Sequence, residues 1–163
     1  MRVTWGRCRV VAAAVFVFVG LLPSAAGAQV PSATTRAVNR AQCRAPSAFT
    51  PESENEIQGA TKSGTLFGLL FGERVPPRTG DELKIVWRMT GAGPLQVRFT
   101  APNGKKQPLV FGPVAHGNVS SYHRPGDEWG TGFRFTTTGC WHIRLTRSDN
   151  VGDVWLEVRP ATA

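Results

Sequence analysis

From Gly64 onward, apolar and polar residues alternate in short runs separated by turn residues. Residues i and i+2 share a face of a β-strand, so each run divides into two faces. Residues 82–90 put Leu83, Ile85, Trp87 and Met89 on one face and Lys84, Val86 and Arg88 on the other. Residues 95–100 set Leu95, Val97 and Phe99 against Gln96 and Arg98. Pro102-Asn103-Gly104-Lys105 predicts a hairpin turn, because Asn-Gly tolerates positive φ. A short strand follows at 109–111. Another alternates around Phe133 and Phe135 over 131–137. Residues 140–146 set Trp141, Ile143 and Leu145 against Cys140, His142 and Arg144. Residues 151–159 set Val154, Leu156 and Val158 against Asp153, Trp155, Glu157 and Arg159. The run 65–71 is apolar on both faces, so the lead segment covers it or one face awaits a partner. About seven strands with regular turns and no amphipathic helix predict an all-β fold. The expected form is an immunoglobulin-like antiparallel β-sandwich over 61–160, with a closed barrel as the alternative.

Parity carries a further expectation. Trp141, Ile143 and Leu145 form the core face, so Cys140 and Trp155 point outward. An outward Trp155 is either covered by another segment or exposed for binding.

The chain before Gly64 reads differently. Residues 29–58 show no period, hold Pro31, Pro46 and Pro51, and gather Glu52, Glu54 and Glu56. An irregular lead segment over 29–60, pinned at Cys43, is expected. Residues 1–28 combine Arg2, Arg7 and Arg9, an apolar run from Val10 to Leu22, and Ala26-Gly27-Ala28. That is the pattern of a secretory signal peptide with an A-x-A cleavage site. The run would span about 20 Å as a helix, short of a ~30 Å bilayer core. Export to the outside of the cell, or to the periplasm where an outer membrane exists, is expected, with no transmembrane segment in the mature chain. Cleavage near Gln29 removes Cys8 and leaves Cys43 and Cys140, which an exported protein is expected to join.

The composition bounds the remaining choices. The chain has 163 residues, 41% of them hydrophobic, which suits one domain with a core. Eighteen Gly and twelve Pro make it turn-rich without low complexity. The net charge of +8 comes from basic residues spread along the chain, which does not point to nucleic acid. Lys84, Arg88, His142, Arg144, Trp155 and Glu157 suggest a basic outer face suited to an anionic envelope polymer.

The stretch 112–130 is the longest connection. It gathers His116, Ser120, Ser121, Tyr122, His123, Arg124, Asp127, Glu128 and Trp129 among glycines. Long connections in compact domains are often functional. His116, His123, Glu128 and Trp129 are the candidate binding residues. The set His116, His123, Asp127 and Glu128 offers donors for a metal but matches no metal spacing. Ser120 or Ser121 with His123 and Asp127 could serve a hydrolase, yet no G-x-S-x-G elbow is present. The bland alternative is a structured loop whose Trp129 and Tyr122 close one end of the sandwich. No catalytic residue, cofactor or metal ligand is assigned.

At Gly126-Asp127-Glu128-Trp129-Gly130-Thr131-Gly132-Phe133 and Gly139-Cys140-Trp141-His142-Ile143, the chain resembles a group of uncharacterised secreted bacterial proteins. In that group a G-D-E-W-G-T-G-F run leads through a strand to a G-C-W-x-I strand. The resemblance spans about residues 43–160. It implies a sandwich domain and export, and no activity. The expected function is that of a non-enzymatic binding module, acting on an envelope polymer or a secreted protein. The alternatives are a small hydrolase or metal-binding protein using 112–130, and a secreted enzyme inhibitor.

Overall fold

Alternating hydrophobicity becomes two antiparallel sheets in a computed structural model, which describes residues 47–117 and 120–162. The expected signal segment 1–28 and Cys43 lie outside the described residues. So do the export and bridge expectations that rest on them.

Eleven strands are present among the described residues: β1 (Phe49–Thr50), β2 (Ser53–Gln58), β3 (Ala60–Thr61), β4 (Leu66–Phe71), β5 (Glu82–Met89) and β6 (Gln96–Thr100) come first. β7 (Lys106–Gln107), β8 (Phe111–Ala115), β9 (Asp127–Arg134), β10 (Gly139–Arg147) and β11 (Asn150–Val158) follow. One sheet has the order β1-β2-β4-β5-β9-β8 and the other β3-β11-β10-β6-β7. The segments β4-β5-β9-β8 and β6-β10-β11 reproduce the strand order of an immunoglobulin sandwich. β1, β2 and β3 are additions at the sheet edges. The sandwich is open, so the closed-barrel alternative does not hold.

The inner faces follow the expected parity. Trp87, Phe99, Phe133, Phe135 and Trp141 are all buried between the sheets. Phe99 and Phe133 stack across the two sheets, with Phe135 and Trp141 edge-on to Phe133 at 5.0 and 5.3 Å. Trp87 Nε1 donates to Thr131 Oγ1 at 2.9 Å, and Trp141 Nε1 donates to the Thr137 carbonyl at 2.9 Å. Both indoles therefore enter the core without an unpaired N–H, which would otherwise carry a desolvation cost of about 1–3 kcal/mol.

Two expectations need correction. Residues 29–60 are not wholly irregular, because β1, β2 and β3 occupy part of that range. β2 pairs with β4 along its edge, Glu56 opposite Leu69 and Gln58 opposite Phe67. The described part of the lead segment, from residue 47, thus extends the sheet sideways and does not lie over both faces of β4. At Gly59 the chain leaves one sheet for the other, and its N–H bonds the Leu66 carbonyl at 2.9 Å. A Cβ there would lie 2.5 Å from Leu66 Cδ2 and 2.9 Å from Val154 Cγ2, so a larger residue would force these buried side chains to shift.

The stretch 112–130 is not one long loop either. β8 and β9 take both of its ends, leaving 116–126 as the connection. Its glycines mark close approaches as well as turns.

Candidate functional site

The outward residues of β4, β5, β9 and β8 form rows across one sheet, fixed by register. The first row is Phe71, Lys84, Gly132 and Phe111. The second is Leu69, Val86, Gly130 and Val114. The third is Phe67, Arg88 and Glu128. Glycine at 130 and 132 leaves room for side chains to lie on the sheet. A Cβ on Gly132 would meet the Phe111 ring at 2.3 Å, and one on Gly130 would meet His116 Nε2 at 2.7 Å.

Charged groups in the third row are buried. Glu128 is 2% exposed and Arg88 8%. Glu128 Oε2 accepts from Arg88 Nε at 3.0 Å and lies 3.0 Å from Arg88 Nη2. Its other oxygen, Oε1, meets His116 Nδ1 at 2.9 Å. The His116 backbone N–H also bonds the Glu128 carbonyl at 3.0 Å. Arg88 Nη1 donates to the Gly126 carbonyl at 2.9 Å, which ties the far end of the 116–126 connection to the same guanidinium. Both ends of the connection are therefore fastened to one strand-borne ion pair.

A second pair fastens its middle. Arg124 Nε donates to Glu56 Oε2 at 3.0 Å, Nη2 donates to Oε1, and the guanidinium lies 4.8 Å over the Phe67 ring. Glu56 is 3% exposed. Burial pushes its carboxyl up, but the hydrogen bonds and charge of Arg124, with the Thr50 and Tyr122 hydroxyls close by, outweigh this and hold it below the usual carboxylate range. The Thr50 and Tyr122 hydroxyls are buried beside this carboxylate, and neither closes a hydrogen bond of good geometry. Burial, then the neighbouring Glu56, pushes the Tyr122 phenol far up, so it stays protonated. Hydrogen bonding to Glu56 raises Arg124 further above its usual value.

Between this connection and the sheet lies an open cleft of about 600 Å³. Leu69, Val86 and Phe71 supply its apolar floor, with Lys84 across it. His116, Ser120, Ser121, Tyr122 and Glu128 supply the wall. Its volume lies in the range of small-ligand sites, roughly 300–1,000 Å³.

The four candidate binding residues are not gathered in this cleft. His116 and Glu128 line it. His123 is exposed and is not among its lining residues. Trp129 is 6% exposed and packs inside the core, because adjacent strand residues face opposite ways. Its ring lies 4.3 Å beneath the Arg147 guanidinium, which donates to Asp127 at 2.6 Å and to the Met89 carbonyl at 2.7 Å. Asp127 and Glu128 thus serve different neighbours, and the set His116, His123, Asp127 and Glu128 does not converge. Among the described residues no group of three or more His, Cys, Asp or Glu side chains could hold a metal ion. The hydrolase set is also dispersed: Ser120 Oγ accepts from the Tyr122 N–H at 2.9 Å and Asp127 is held by Arg147.

The basic outer face expected from sequence divides in two. Lys84 and Arg88 belong to one sheet, while His142, Arg144, Trp155 and Glu157 belong to the other. On that second face His142 stacks on Trp155 at 4.1 Å and meets Asp153 at 2.6 Å. Burial raises the Asp153 carboxyl, yet hydrogen bonds from Arg144 and His142 bring it below its usual value. Ser47 bonds both the N–H and the carbonyl of Trp155. Trp155 is half-buried, with His142 over its ring and Ser47 along its backbone.

The sequence reading placed Lys84 and Arg88 on an outer face, Arg124 in the long connection and an apolar outer face on 65–71, but did not join them with Val86 and Glu56 into one site. The signal that could have joined them was the apolar outer face. Val86 and the outward residues of β4 make a sheet's outer face apolar where solvent should favour polar groups.

The chain matches no protein-family model, no curated protein and no solved structure. Among the described residues no helix is long and apolar enough to cross a membrane.

Proposed function

We propose that the protein is an exported, non-enzymatic binding module whose site is the cleft beneath residues 116–126. The observation that carries this reading is the use made of buried charge. Glu128, Arg88 and His116, with Glu56 and Arg124, fasten a connection above an apolar strip of sheet and leave the space between open. Buried ion pairs rarely stabilise a fold relative to apolar packing, so their use here is to fix a shape. Both Glu128 oxygens are engaged, which makes this carboxylate a strut for the connection and not an acid or base. Export rests on the signal-like residues 1–28, and a Cys43–Cys140 bridge would suit an oxidising compartment. The partner is an anionic group of an envelope molecule, met by Lys84 at the cleft's open side.

The test blocks the cleft without disturbing its struts. Ser121 is exposed and lines the cleft. Ser121→Trp should abolish co-sedimentation of the purified protein with its host's envelope fraction, while the unfolding midpoint stays put. Thr138→Trp, on an exposed turn away from the cleft, should bind normally. Equal retention of both variants would refute the site.

A further inference from the structure

The cleft has one charge without a partner. Lys84 is exposed and makes no ion pair among the described residues, and its ammonium sits 5.8 Å over the Phe71 ring. The acidic group in the wall is already neutralised, since Glu128 faces Arg88 at 3.0 Å and His116 at 2.9 Å. The remaining wall is neutral: Tyr122 stays a phenol and the Ser120 and Ser121 hydroxyls carry no charge. The Ser121 hydroxyl makes no hydrogen bond among the described residues, so it has a donor to offer. The floor beneath is apolar, built from Leu69, Val86 and Phe71.

From this juxtaposition we infer that the cleft takes a small monocarboxylate with an apolar body, the carboxylate on Lys84 and the body over Leu69 and Val86. The inference rests on the reading of the cleft as the binding site. A cation is disfavoured because the only uncompensated charge it would meet is positive. A purely polar anion would gain the ammonium but leave the apolar floor wet, forfeiting the burial that drives small-ligand binding. A carboxylate of about eight carbons fits within about 600 Å³. The rim hydroxyls of Ser120 and Ser121 donate to its second oxygen.

Octanoate, 1-octanol and octylamine, each below its aggregation concentration, separate the contributions of charge and chain. Amide chemical shifts of the full protein are followed during each titration. Octanoate should saturate, with shifts confined to residues 69–71, 84–86 and 120–122. It should bind about threefold more tightly than 1-octanol, the size of one ion pair at an exposed ammonium. Octylamine should bind more weakly than either. Lys84→Met keeps an apolar stem and removes the charge, so it should erase the advantage of octanoate over 1-octanol. Equal affinity for octanoate and 1-octanol in the unaltered protein would overturn the ligand class. So would an octanoate advantage that survives Lys84→Met, or no saturation by octanoate. None of these results bears on the envelope assay with Ser121→Trp, so the cleft and its ligand class fail separately.

Discussion

Glu128 and Trp129 are neighbours in sequence and end on opposite faces of β9, one among charges and one in the core. Both looked like loop residues, since glycines surround them. Only the register with β5, Trp87 opposite Trp129 and Arg88 opposite Glu128, separates their roles. No local pattern reveals that Arg88 lies opposite Glu128, because forty residues separate them. The same holds for Glu56, whose burial depends on Arg124 from the far side of the chain. Truncating Glu128 to alanine strands a buried guanidinium, so it should cost about 3–5 kcal/mol of unfolding free energy in a denaturant titration. A loss below about 1 kcal/mol would mean that Arg88 finds water instead. Glu56 makes a pH prediction. Its folded pKa is lowered, so its contribution to stability is complete above the unfolded value near 4.5 and is lost as pH falls through the folded value. Asp153, also lowered, adds to the same acid limb. Urea midpoints measured between about pH 6 and pH 3 should therefore decline, and Glu56→Gln should flatten part of that decline. An unchanged slope in the variant would contradict the pairing.

Strands were legible wherever one face met the core and the other met water. β10 and β11 follow this most closely; in β5 the sequence places the inward residues correctly, although Val86 and Arg88 on its outer face are buried. The reading weakened where the outer face was itself covered. β9 carries Gly130 and Gly132 because His116 and Phe111 lie against them, and glycine in sequence reads as a turn. β2 carries Ser53, Glu54, Asn55 and Glu56, a composition typical of loops, and becomes a strand by pairing with β4. The connection 116–126 is the element on which the binding reading depends. It re-enters β9 at Gly126, where φ is +93° and a Cβ would sit 2.3 Å from the Met89 carbonyl. Gly126→Ala is both strained and blocked by backbone, so it should cost at least about 1–3 kcal/mol and loosen the Arg88 bond to the Gly126 carbonyl. Thermal unfolding checks the cost. A variant with an unaltered midpoint would show that the connection is held less tightly than its bonds imply.

For the whole molecule, sandwich architecture was readable because period-two alternation and spaced turns leave few other solutions. The site was not, since it arises where two layers of side chains meet outside the core. The bridge between Cys43 and Cys140 would close nearly a hundred residues, worth about 4–5 kcal/mol in the chain-entropy account. Thiol titration of the unreduced, denatured mature protein should find no free thiol, and finding two would refute the bridge. The central claim is that binding occurs at the cleft on the β4-β5-β9-β8 face and not on the His142–Trp155 face. Amide hydrogen exchange, compared with and without the host's envelope fraction, tests it most directly. The account predicts added protection at residues 69–71, 84–86 and 120–122, with residues 142–144 and 153–155 unchanged. Protection that appears at 142–144 and 153–155 and spares the cleft would contradict it.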